Sequence, residues 1–209
     1  MEKLKIEKLV LGMVQTNVYL AVNQETKEAI LIDPAAEAAS IARLLEERGY
    51  HPAGILLTHG HFDHIGAAEE LAARFGLKIG AGSLETGVLG DSVKNLSAMY
   101  GRPFTVKADC LYKDGDDFEM AGFSIRVFHT PGHTEGGVCY YLPGEAALFS
   151  GDTLFNGSVG RTDFPTGSMS VLVRSVRKIT GSLPGDTAVY PGHGPDTTIA
   201  YEKECNPFL

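Results

Sequence analysis

Short apolar runs alternate along this chain with two kinds of connection: tight polar turns and segments of helical periodicity. Residues 4–10, 17–22 and 29–32 read as strands, and the polar run Asn23-Gln24-Glu25-Thr26-Lys27 joins the last two as a hairpin. Residues 36–48 then carry Ile41, Leu44 and Leu45 at helical spacing, and Gly49 behind them suits a left-handed C-terminal cap. A strand over 55–57 follows and delivers a histidine-rich segment, after which 64–75 read as a helix closed by Gly76.

The second half repeats this logic. Phe123, Ile125 and Val127 alternate with Ser124, Arg126 and Phe128, which predicts a half-buried strand ending at His129. Residues 137–142 and 146–149 form a second hairpin around Pro143-Gly144-Glu145 and run into Gly151-Asp152. A helix over 169–180, N-capped by Ser168 and followed by Gly181, precedes a strand over 188–190. The pattern predicts two sheets flanked by helices, with the chemistry on loops along one rim. The stretch 84–104 is the least periodic and reads as helical cover over a cleft.

Composition narrows the setting. A length of 209 residues suits a single domain over 1–209, and 44% apolar with 21% charged residues describes a packed core rather than a disordered chain. The formal charge of −8, with Lys and Arg scattered rather than clustered, argues against nucleic acid as a partner. The start, MEKLKIEKLV, breaks its apolar residues with charge, and no apolar run reaches bilayer length, so neither a leader nor a membrane is expected and the chain is placed in the cytoplasm. Three cysteines, Cys110, Cys139 and Cys205, with no C-x-x-C pair, fit reduced structural thiols.

Against this ordinary background, five of the seven histidines stand in a repeated context: Thr58-His59-Gly60-His61-Phe62-Asp63-His64, Pro131-Gly132-His133 and Pro191-Gly192-His193-Gly194, with Gly151-Asp152-Thr153 beside them. In an extended loop His59 and His61 point the same way, because side chains alternate with a period of two, whereas Asp63 and His64 at the turn into a helix can face a neighbouring ion. His133 completes the first site, His193 the second, and Asp152 bridges them; Asp63 and Asp152 are the candidate catalytic carboxylates. Imidazole with carboxylate and no thiolate suits two divalent ions, zinc first, with iron or manganese as alternatives. Glycines at 132, 151 and 192 allow backbone to pass close to the ions. His51 and His129 are read as ordinary loop histidines. Asp33 is balanced between a partner for a ligand imidazole and a turn residue before Pro34, and Arg161 with Asp163 is read as a local ion pair.

The ordered set Thr-His-x-His-x-Asp-His, Pro-Gly-His-Thr, Gly-Asp-Thr-Leu-Phe and Pro-Gly-His-Gly resembles the metallo-β-lactamase superfamily, and within it the glyoxalase II-like hydrolases. Gly160-Arg161-Thr162-Asp163-Phe164-Pro165 and the terminal Asn206-Pro207-Phe208-Leu209 are similar to the short bacterial branch, YcbL-like type II. The resemblance implies a four-layer αββα sandwich of the α/β (α+β) class. It places His59, His61 and His133 at one metal and Asp63, His64 and His193 at the other, with Asp152 bridging. It also implies a small-molecule thioester substrate such as S-lactoylglutathione, attacked by a metal-bridging hydroxide. Longer glyoxalase II enzymes add a helical glutathione-binding domain after this point, and none is expected here; their matching segment holds a lysine on the glutathione carboxylate, a place that Arg161 could fill. Cys139 and Cys205 lie outside every motif, so β-lactam hydrolysis is not expected as the main activity. Two further readings use the same scaffold: a persulfide dioxygenase holding one iron through His59, His133 and Asp152, and a non-catalytic metal-binding protein. The oligomeric state is not legible.

Overall fold

The computed structural model describes residues 3–209; Met1 and Glu2, the first two positions of the expected 1–209 domain, lie outside the described residues. The first sheet has six strands in the order β1 (Leu4–Leu11), β2 (Thr16–Asn23), β3 (Glu28–Ile32), β4 (His51–Leu57), β5 (Ile79–Gly82) and β6 (Cys110–Tyr112). Its first three strands are antiparallel, and the pairings from β3 onward are parallel. Parallel neighbours need a crossover. Helix α1 (Ala38–Arg48) provides one between β3 and β4, and α2 (Phe62–Ile65) with α3 (Ala68–Phe75) another between β4 and β5. One helical turn, α4 (Thr86–Leu89), lies before β6.

The second sheet draws on β7 (Asp117–Met120), β8 (Phe123–His129), β9 (Val138–Leu142), β10 (Ala147–Gly151), β13 (Ala188–Pro191) and β14 (Thr197–Thr198), with β14 and β7 at the edges. A small ribbon, β11 (Leu154–Phe155) with β12 (Ser158–Val159), stands apart from both. Helices α5 (Met169–Ser182) and α6 (Ile199–Cys205) cover this sheet.

Burial follows the layers. Leu20, Leu31, Ile55 and Leu57 on one face of the first sheet pack with Ile41 and Leu45 of α1 and Leu71 of α3. The alternate residues Tyr19, Ile30, Ile32 and Leu56 meet Ile125, Val127, Tyr140 and Phe149 between the sheets. On the far side, Cys139, Leu148 and Val189 pack under Leu172, Val176 and Ile179 of α5. The period-two split of β3 and β4 between two cores makes the four-layer αββα sandwich. No helix among the described residues is long and apolar enough to cross a membrane.

Several elements differ from the sequence expectation. The helix expected over 64–75 is two helices, because Gly66 passes so close to the Ala35 carbonyl that no Cβ would fit, and the Ala67 N–H bonds to the Pro34 carbonyl at 2.9 Å. Glu37, in the left-handed region, delays α1 to Ala38. Gly181 lies inside α5 rather than after it, and Ser168 is the N-cap residue without a side-chain bond to the helix backbone. The stretch 84–104 does cover a cleft, through Leu96 and Tyr100, but it is mostly turns held by Asn95 and Ser97 on the Phe104 carbonyl, with α4 as its one helix.

Candidate metal centre

The histidine and aspartate loops leave the carboxyl ends of β4, β8, β10 and β13, where open sheets carry their sites. Backbone contacts fix the spacing between loops: Gly192 N–H reaches the Gly151 carbonyl at 2.8 Å, and Asn17 Nδ2 donates to the carbonyls of Pro191 at 2.8 Å and Gly194 at 2.9 Å. A Cβ at Gly192 would run into Asp152 Oδ1 and His64 Cε1, so only glycine lets the His193 loop lie this close.

Three overlapping groups of donor atoms form on the floor of the cleft; one, Asp33 with His59 and His64, lies behind the other two. Of those two, the first gathers His59, His61 and His133, all buried, and the second Asp63, His64 and His193. His61 Nδ1 faces His133 Nε2 at 2.9 Å, and His64 Nε2 faces His193 Nε2 at 3.4 Å. Asp152 lies between them. Its Oδ1 is 3.4 Å from His64 Nε2, and its Oδ2 is 3.5 Å from His133 Nε2 and 3.6 Å from His193 Nε2. All seven residues singled out in the sequence therefore meet in one place.

Among the described residues the same floor leaves buried polar atoms without a hydrogen bond: His59 Nε2, His61 Nε2 and Asp152 Oδ1. Such atoms are costly unless something binds them. Burial holds His59 well below the ordinary imidazole range and pushes His61 down to about 3, leaving neutral imidazoles of the kind that ligate metals. Burial would lower His64 too, but Asp63, Asp152 and Asp33 around it override that and raise it well above its usual value. Burial raises Asp152, and the neighbouring histidines, His64 first, reverse this and hold it well below the carboxylate range. The floor fits cations: unpartnered donors, neutral imidazoles and ionised carboxylates share one buried volume.

A further ring of contacts orients the donors. His133 Nδ1 donates to the Arg161 carbonyl at 2.7 Å, turning its Nε2 inward. Thr16 Oγ1 donates to Asp63 Oδ2 at 3.0 Å. Asp33, balanced in sequence, accepts from Thr58 N and Oγ1 at 2.7 and 2.6 Å and takes His64 Nδ1 at 2.9 Å. Glu85, which no sequence signal marked, is fully buried and ties two loops together: Oε1 accepts from Gly60 N, and Oε2 from Thr134 Oγ1 and Gly136 N. His51 is exposed and His129 bonds to the Glu135 carbonyl at 3.1 Å; both stay outside the floor, as expected.

Above the floor is a cleft of about 500 Å³ walled by Phe62, Tyr100, Phe155 and Phe164. Arg161 lines it, with Nε and Nη2 paired to Asp163 at 2.7 Å each and its guanidinium 4.0 Å from the Phe164 ring centre. The local ion pair read from the sequence is present, and Nη1 carries no protein partner among the described residues.

A sequence profile described as the metallo-beta-lactamase superfamily matches residues 11–193. Hydroxyacylglutathione hydrolase GloC of Haemophilus influenzae is 36% identical over 88% of this chain and 89% of its own length. The crystal structure of BLEG-1 B3 metallo-beta-lactamase is similar at a TM-score of 0.92, with 41% identity, over 98% of this chain and 99% of that one. TTHA1623 in a di-iron-bound form is similar at 0.85, with 36% identity, over 97% and 100%.

Proposed function

The chain belongs to the metallo-β-lactamase superfamily and is a metallohydrolase of that fold, and from this premise we propose that it hydrolyses thioesters of the hydroxyacylglutathione type with two divalent metal ions. The observation that carries the reading is Asp152, whose carboxylate lies between the two halves of one buried donor cluster, Oδ1 facing His64 and Oδ2 facing both His133 and His193. His59, His61 and His133 would hold one ion and Asp63, His64 and His193 the other, with Asp152 shared. The donor set suits zinc, and iron or manganese remain compatible with it. The di-iron form of TTHA1623 supports a pair of ions. Bound there, they would supply Lewis acidity and a nucleophile drawn from water near neutral pH.

The residues of the chain do the rest. Phe62, Phe155 and Phe164 exclude bulk water from the floor, and the free Nη1 edge of Arg161 is placed to take a substrate carboxylate while Asp163 keeps the other edge. Among the described residues outside the cluster, the polar side chains of the cleft are Tyr100, Ser158 and Arg161, with no carboxylic acid to protonate a leaving nitrogen. A thiolate needs no such help, since a thiol's pKa is about 8.5. Three free cysteines agree with a cytoplasmic site of action.

The similarity to BLEG-1 favours a second reading, β-lactam hydrolysis. One preparation assayed on S-lactoylglutathione and on a β-lactam separates the two. The thioester should be cleaved faster; equal or faster turnover of the β-lactam would overturn the leaving-group argument.

A further inference from the structure

The catalytic cleft has a neighbour. A cavity of about 380 Å³ adjoins it, and Phe62, Asp63 and Tyr100 line both. The Phe62 and Tyr100 rings lie 4.3 Å apart at 31°, so the aromatic pair forms a low sill between the two spaces. The tip of the β1–β2 hairpin also spans them: Val14 lines the cleft, and Met13, 75% exposed, lines the neighbour. Each space falls in the ordinary size range for small-ligand sites, roughly 300–1,000 Å³. A ligand with its reacting bond over the metal floor can therefore continue across the sill.

Apart from Asp63, which it shares with the metal floor, the second cavity holds one side chain of each charge. Arg102 forms no ion pair or side-chain hydrogen bond among the described residues, unlike Arg161, Arg126 and Arg74, each of which has a carboxylate partner. Among the described residues the Glu37 side chain takes one hydrogen bond, from the Ser40 hydroxyl at 3.3 Å, and forms no ion pair with Arg102. A cation and an anion held apart on the walls of one cavity match a ligand that carries both charges. A phosphate would gain Arg102 and meet Glu37 as a like charge. An α-amino acid end gains both.

We propose that this cavity is the subsite for the zwitterionic α-amino acid end of the substrate's thiol, with Arg102 taking its carboxylate and Glu37 its ammonium. The proposal rests on the thioester reading for its occupant but concerns binding alone. It gives the two arginines different tasks: Arg161 lies beside the metal floor, and Arg102 beyond the sill. A substrate with a carboxylate near the reacting bond and a γ-linked amino acid at its far end would use both.

The test is calorimetric titration of the zinc-loaded protein with S-methylglutathione, a thioether that cannot be hydrolysed. Wild type should bind it. Arg102→Ala should weaken binding at least tenfold and Glu37→Gln several-fold, while binding of the neutral thioether 2-acetamidoethyl methyl sulfide should not change. Failure of wild type to bind S-methylglutathione, or undiminished binding by Arg102→Ala, overturns the subsite. The two readings fail separately: S-lactoylglutathione hydrolysis with no dependence of KM on Arg102 would sink the subsite alone, and Arg102-dependent binding without hydrolysis would sink the thioesterase alone.

Discussion

Asp33 Oδ2 lies 2.9 Å from His64 Nδ1, which leaves His64 Nε2 as the nitrogen that faces Asp63, Asp152 and His193. Asp33 is itself fixed by the Thr58 N–H and hydroxyl, and Thr58 directly precedes His59. One carboxylate at the end of β3 thereby sets the angle of an imidazole in one donor group and anchors the segment that feeds the other. Its backbone is left-handed, with φ of 48°, a conformation that aspartate tolerates better than most residues.

Asp33→Ala should accordingly lower metal affinity by about ten- to a hundredfold, the usual loss when the partner of a metal-binding histidine is removed. Competition with a chromogenic chelator measures it. Unchanged affinity in a folded variant would reduce Asp33 to a turn residue.

Asp152→Asn should lower total metal content and cut activity by about a hundredfold or more, because the negative charge shared by the two halves of the cluster is lost and one of its two oxygens becomes an amide nitrogen. Elemental analysis beside turnover checks both. A variant with full metal and full rate would remove Asp152 from the centre.

Burial pushes the Glu85 carboxyl up to about 7, from 4.5 in an unfolded chain. Between those values the folded chain holds the extra proton, so the contribution of Glu85 to stability is present below pH 4.5, is lost progressively as pH rises toward 7, and changes no further above that. The full loss is about 3 kcal/mol. Glu85→Gln cannot ionise. Urea unfolding of the metal-free proteins at pH 5 and pH 8 should show wild type losing more stability than this variant as pH rises; parallel changes would contradict the shift.

The loops of the candidate metal centre were legible in sequence because each is short, carries its own glycine, and places its histidine or aspartate side chains at a strand end. The residues that orient them were not. Glu85 meets Gly60 and Gly136 across 25 and 51 positions, and Thr16 meets Asp63 across 47, so nothing local marks them. The same limit applies to β5, whose Gly80 and Gly82 lack the branched side chains that signal a strand, and to β6, only three residues long. In β4 the sequence showed only the apolar end, because Pro52 and Gly54 disguise the residues before it, where the pairing with β3 shifts register. Helix 64–75 looked continuous because its interruption depends on Pro34 and Ala35, far away in sequence.

Arg161→Ala should raise KM about tenfold for thioesters bearing a carboxylate and leave KM for a neutral acyl thioester nearly unchanged, as expected for loss of one uniform binding contact. The substitution keeps the backbone carbonyl that orients His133, so it isolates the side chain. An equal effect on both substrates would assign Arg161 to loop structure through Asp163 alone.

The central claim is a two-metal centre bridged by Asp152, and metal analysis of protein purified from unsupplemented cells tests it most directly. Two divalent ions per chain, with thioesterase activity lost on chelation and regained on adding them back, is the result the account predicts. A single iron per chain, held without Asp63, His64 and His193 and accompanied by oxygen consumption with glutathione persulfide, would contradict it.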